Sequence, residues 1–145
     1  MQLVVQTVLE ASCTVDEKVI SKIDNGYMVL VGIGTEDDEK ICEKMALKLS
    51  KLRVFEDEVG KMNLDIHITK GEILSISQFT LYADTSSGNR PSFTKAQKGD
   101  RAKELYDYFN KCLENQGIIV KTGVFGAHMK ISLINDGPKT FILRG

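Results

Sequence analysis

Two short stretches of this 145-residue chain carry polar groups where a purely structural element has little use for them. Ser77-Gln78-Phe79-Thr80-Leu81 places three hydrogen-bonding side chains in an otherwise apolar run. Every buried polar group must find a partner, so such a strand suits a site that holds a polar substrate. Asn135-Asp136-Gly137-Pro138-Lys139-Thr140 reads as a six-residue turn between two short strands. Its Gly-Pro step removes one amide donor and admits unusual backbone geometry, a cis bond included. An ordinary turn has a similar composition, and this motif alone does not separate the two readings.

Other candidate chemistry is thinner. His67 and His128 are the only histidines, and neither has a Ser or Cys plus an acid nearby in sequence. His67 alternates with Ile66 and Ile68, which predicts the solvent side of a strand. Gly32-Ile33-Gly34 invites a dinucleotide reading, but position 37 is Asp where the third glycine of that motif belongs. A carboxylate there would repel a pyrophosphate, so a tight strand-to-helix turn is the simpler reading. Cys13, Cys42 and Cys112 are odd in number and lack zinc-like spacing, which predicts reduced thiols, no metal and a cytoplasmic setting. No cofactor motif is present.

Nineteen basic and twenty acidic side chains give a net charge of −1, so any nucleic-acid contact must be local. Residues 85 to 103 supply one such place. Arg90, Lys95, Lys98, Arg101 and Lys103 stand there against Asp100 alone, a balance of +4 that could meet phosphates.

These residues need elements to hold them. Apolar residues at 42% and charged residues at 27% predict one folded domain over 1–145, and no apolar run is long enough for a bilayer. QLVVQTV (2 to 8) predicts a strand, residues 13 to 24 a hairpin about Asp16-Glu17-Lys18, and Asn25-Gly26 a turn into the buried strand YMVLVGIG. Ile41, Met45, Leu49 and Leu52 recur at helical spacing, predicting a helix over 36 to 52 with Thr35 as its cap. A loop-rich connection follows, then a strand over 72 to 83, a surface loop over 84 to 94, and a second helix over 97 to 115. Short strands at 118 to 121, 129 to 134 and 140 to 144 finish the chain. Two helices and about seven strands, partly in consecutive runs, predict a mixed α/β domain.

SQFTL at 77 to 81 together with NDGPKT at 135 to 140 resembles the motif pair of the D-aminoacyl-tRNA deacylases, SQ-x-x-L and N-x-G-P-x-T. LRVFEDEVGKMN (52 to 63), GNRPSF (88 to 93) and TGVFGAHMKISLINDGP (122 to 138) are similar to that family in the same order, so the resemblance spans the chain. It departs at one place. VQTV puts Thr7 where the family pattern, as in IQRV, has an Arg that helps hold the partner's Gly-Pro loop.

The resemblance implies a three-layered fold, with helices on one side of packed β-sheets, and a homodimer whose active site lies between subunits. It implies hydrolysis of the ester joining a D-amino acid to the 3′ end of tRNA, with glycine as a possible second substrate. Ser77, Gln78, Phe79 and Thr80 would form the catalytic segment, their backbone N–H groups stabilising the oxyanion while the tRNA ribose hydroxyl assists. Gly137-Pro138, joined by a cis bond, would enter the neighbouring pocket and exclude L-amino acids. A threonine nucleophile at Thr80 would need a base, and none is adjacent in sequence. Two alternatives stand beside this reading: a relative that removes mischarged L-alanine, and a non-catalytic tRNA-binding module.

Overall fold

The β-branched start of the chain runs further than its first residues. In the computed structural model, which describes residues 1–145, β1 (Gln2–Val15) is one strand of 14 residues. Asp16 and Glu17, at φ 47° and 63°, turn it into β2 (Lys18–Ile23); consecutive left-handed residues match the twist of the flanking strands. β3 (Gly26–Gly32) follows the expected Asn25-Gly26 turn. It pairs with residues 2 to 8 of β1, while β2 pairs with residues 11 to 15. β3 continues in parallel to β6 (Glu72–Ser77), and β6 to β7 (Val120–Thr122). β8 (Lys130–Arg144) lies antiparallel along β1 from end to end.

This single six-stranded sheet curls in a barrel-like way and feeds two cores. Leu3 and Val5 of β1, with Tyr27, Val29 and Val31 of β3, join the larger cluster. A bulge between Val8 and Glu10 then shifts the strand's phase. Val8 before it and Ala11 and Cys13 beyond it then share a face and enter a second cluster with Met28, Leu74 and Ile76. β3 therefore buries both faces, as its continuous apolar run predicts.

Helices α1 (Glu39–Ser50) and α3 (Gly99–Glu114) cover the larger cluster with Cys42, Met45, Leu49, Leu105, Phe109 and Leu113. Neither is long and apolar enough to cross a membrane. Both lie where periodicity predicts them, trimmed by two or three residues at the start. Asp38, not Thr35, is the cap of α1; its carboxylate accepts from the Ile41 amide at 2.9 Å.

Four expectations need correction. The loop-rich connection holds a small hairpin, β4 (Phe55–Glu56) with β5 (Met62–Leu64), and a one-turn helix α2 (Ile66–Thr69). His67 thus sits exposed on that turn, capped by Asp65, and not on a strand. The strand from 72 ends at Ser77 and gives way to a 3-10 turn over Phe79–Tyr82. Finally, the pieces at 129 to 134 and 140 to 144 are one strand, β8, interrupted by the NDGPKT motif. The domain is α/β with three helices and eight strands, in place of two and seven.

Candidate active site

β6 delivers the first motif. Its apolar residues Ile73, Leu74 and Ile76 are buried, and the strand ends as Gln78 donates its amide to the Val31 carbonyl at 2.8 Å. Here the Gly32-Ile33-Gly34 step acquires a purpose. A Cβ on Gly32 would lie 3.0 Å from Leu81 Cβ and 3.2 Å from the Gln78 carbonyl oxygen. A Cβ on Gly34 would meet the Tyr82 hydroxyl at 2.6 Å. The two glycines let the 3-10 turn settle against the end of β3, which is why the polar segment turns there instead of continuing as strand.

The turn leaves two donors free. As the first residues of a helical turn, Phe79 and Thr80 have no intrahelical acceptor for their amides, and neither amide meets any other protein acceptor. Gln78 Nε2 donates to Thr80 Oγ1, tying the motif's polar side chains to each other. Burial and the Asp37 carboxylate push the Tyr82 phenol up to about 12, so it stays a neutral anchor.

Ser77, Gln78 and Phe79 line a cavity of about 260 Å³ with Val31, Ile33 and Ile76 behind them. Its far wall is the segment Phe125–Met129, which includes His128. Nothing in the local sequence of His128 signals that it shares a cavity with the SQFTL segment. It is exposed and has no hydrogen-bond partner to orient its ring. Thr80 does not line the cavity and contacts no base. The thiols are poor nucleophiles, because burial raises Cys13 and Cys112 and carries Cys42 up to about 12.

The basic segment reaches the cavity through Gln97 in its lining and through Phe93, whose ring meets Phe79 edge-on at 5.0 Å. Its charges divide in two. Arg101 is held by Glu39 at 2.8 Å and Lys103 by Asp107. Arg90, Lys95 and Lys98 are exposed and have no carboxylate within salt-bridge distance.

The second motif lies elsewhere. On β1 a single residue, Thr7, separates the pairs Gln6↔Thr140 and Val8↔Asn135, whereas on β8 four residues, Asp136 to Lys139, intervene. These four loop out of the ladder and carry the Gly137-Pro138 bond, which is cis. Gly137 and Pro138 are exposed and do not line the cavity of their own chain. Thr7 is buried and donates its hydroxyl to the Asp136 carbonyl at 2.7 Å. Asn135 Nδ2 donates to the carbonyls of Thr7 at 2.8 Å and Lys139 at 3.1 Å. The residue that departs from the expected Arg thus braces the base of its own loop.

Comparison with known proteins identifies the family. A family model described as D-Tyr-tRNA(Tyr) deacylase matches residues 4–144. A D-aminoacyl-tRNA deacylase of Bacillus pumilus is 54% identical, covering 97% of this chain and 95% of its own length. One from Exiguobacterium is 52% identical over 99% and 97%. Among solved structures, one titled c-Myc DNA Unwinding Element Binding Protein is 41% identical with a TM-score of 0.95, covering 100% of this chain and 99% of its own. A probable eukaryotic D-amino acid tRNA deacylase shares the fold at a TM-score of 0.87 and 15% identity, over 98% and 97%. With a model matched across nearly all of its length and relatives above half identity, the chain belongs to the D-Tyr-tRNA(Tyr) deacylase family of hydrolases.

Proposed function

We propose that this chain hydrolyses the ester of D-aminoacyl-tRNA, releasing the D-amino acid and free tRNA. The observation that carries the mechanism is the pair of unpaired amides at Phe79 and Thr80, beside a cavity lined by Ser77 and Gln78. An aminoacyl ester is already activated. Its hydrolysis needs positioned water, for which the adjacent ribose 2′-hydroxyl serves, and donors aimed at the developing oxyanion. Ser77 and Gln78 shape the cavity, and Gln78 holds Thr80 through its hydroxyl. Arg90, Lys95 and Lys98 offer their free charges to the phosphates of the acceptor end.

The active unit in this reading is a homodimer. Gly137-Pro138 is exposed and takes no part in its own cavity, and the outer edge of β8 is unpaired, with Leu9, Ile134 and Ile142 exposed near it. A C2 pair lets each chain lend its loop to the other's cavity. There the loop carbonyls receive the substrate's α-ammonium, and rigid backbone occupies the place an L side chain would take. Glycine, having no side chain, passes this filter. The expected setting is the cytoplasm, where charged tRNA is found.

Matched D- and L-aminoacyl-tRNAs test the reading directly. Hydrolysis of the D-ester with the L-ester spared supports it. Preferred turnover of L-alanyl-tRNA would move the protein to an L-specific role, and salt-sensitive tRNA binding without turnover would make it a binding module.

A further inference from the structure

Hairpin β4–β5 lies away from the cavity, yet its sequence is among those that carry the family resemblance. One contact gives it a place in the site. Glu56 of β4 meets Lys139 Nζ at 2.8 Å, and the Lys139 side chain is only 16% exposed although Gly137 and Pro138 beside it are open to solvent. The lysine stem folds back over Gly137, so that a Cβ there would stand 2.6 Å from Lys139 Cγ.

Glu56 is itself firmly based. Its neighbour Phe55 is buried and stacks on Tyr27, with ring centroids 4.9 Å apart and planes 20° from parallel. Tyr27 in turn stands opposite Thr7 in the β1–β3 ladder. Both ends of the excursion therefore trace to one buried aromatic pair. Asp136 is held through Thr7, and Lys139 through Glu56. The hairpin does not flex easily, because Asp57 accepts from the amides of Val59 and Lys61 and from Asn63, and Arg53 donates to Asn63.

We propose that hairpin β4–β5 is a brace that sets where Gly137-Pro138 projects, with Glu56 and Lys139 as positioning residues for stereochemical discrimination. The inference rests on the function proposed above. With the pair intact, the loop backbone stands still and an L side chain collides with it. With the pair broken, the Lys139 stem releases Gly137 and the loop yields to the L-ester. The D-ester, whose side chain points away from the loop, loses only the part of its α-ammonium's hold that the loop's drift removes.

The test measures kcat and KM for D- and L-tyrosyl-tRNA with the parent protein, Glu56→Gln, Lys139→Met and the exchanged pair Glu56→Lys with Lys139→Glu. Glu56→Gln is expected to raise the L-to-D ratio of kcat/KM by about tenfold while D-ester kcat/KM falls by no more than about fivefold, and the exchanged pair to restore most of the discrimination. Lys139→Met keeps the stem and removes the charge, so it should leak as Glu56→Gln does. Salt at about 0.5 M, which weakens a half-exposed pair, should move the parent's L-to-D ratio toward that of Glu56→Gln and leave the ratio of Glu56→Gln unmoved, the loss of tRNA affinity being common to both esters. A folded Glu56→Gln protein with unchanged discrimination, or an exchanged pair that restores nothing, overturns the brace. A parent protein that does not hydrolyse the D-ester overturns the functional reading first, and the brace with it.

Discussion

At the scale of the residue, the proposed chemistry depends on backbone more than on side chains, and this can be tested by removing one amide. Phe79 opens a 3-10 turn after Gln78 at φ −147° and ψ 85°. The first position of a helical turn tolerates proline, and a residue before it outside the helical region avoids the usual clash. Phe79→Pro should therefore fold and lose only the ring and one N–H. D-ester kcat is expected to fall by about 10²–10³-fold, the usual cost of one oxyanion donor. Phe79→Ala, which keeps the amide and loses only the ring, should cost far less. His128 is the competing candidate because it lines the same cavity. It has no partner to fix its tautomer, and a general base works through an oriented nitrogen. His128→Ala should lower kcat less than about tenfold, and a drop nearer the 10²–10⁴ of acid–base catalysis would transfer the role to it.

Elements decide where those residues stand, and here the glycines at the end of β3 and just past it matter more than their motif-like spelling. In Gly32→Ala the new Cβ would press on Leu81 and the Gln78 carbonyl. It should cost about 1–3 kcal/mol in unfolding free energy, as overpacking does, and lower turnover further by displacing the Phe79 and Thr80 amides. Two exposed turns respond to acid. Hydrogen bonds from the Lys61, Val59 and Asn63 donors hold the Asp57 carboxyl below its ordinary range, and Ser86 does the same for Asp84. A depressed folded pKa contributes stability above the unfolded value, about 3.9 for aspartate, and that contribution is lost as pH falls through the folded value. Thermal midpoints should hold from neutral pH down to about 5 and drop below about 4, with a smaller drop in Asp57→Asn. How far the elements were legible follows from the same physics. Both long helices and the doubly buried β3 announced themselves by periodicity, because burial must repeat with the element. The end of β6 did not, since Phe79 and Leu81 look strand-like and only Gly32 and Gly34, far off in sequence, make room for the turn. The β8 excursion was likewise hidden, because the Asn135 and Thr7 bonds that keep the ladder intact around it span the whole chain. The candidate site segments were visible as misplaced polarity; the place of His128 in the cavity was not, because it is set wholly by tertiary packing.

For the whole molecule, the decisive fact is that the two motifs do not meet within one chain. Ser77, Gln78 and Phe79 line the cavity, and Gly137 and Pro138 stand outside it. A site completed by a second copy accounts for this, and requires sedimentation near twice the 16.1 kDa chain mass at micromolar concentration. Subunit mixing is the stronger test. Phe79→Pro removes the cavity's donor and leaves the loop intact. Gly137→Ala disables the loop, because φ at Gly137 is +118° and its Cβ would meet Lys139 Cγ and the Lys139 amide nitrogen. Each variant alone should be nearly inactive. In a mixed dimer, the cavity of the Gly137→Ala chain receives the sound loop of the Phe79→Pro chain, and one complete site returns. The other site of that dimer carries both defects. When equal amounts are unfolded and refolded together, half of the dimers are mixed and half of their sites are whole, so activity should recover to about a quarter of the parent's. Sites contained within single chains would recover nothing, because every chain in the mixture bears a lesion of its own. Recovery that rises with protein concentration, as dimers form, would place the catalytic unit between the subunits.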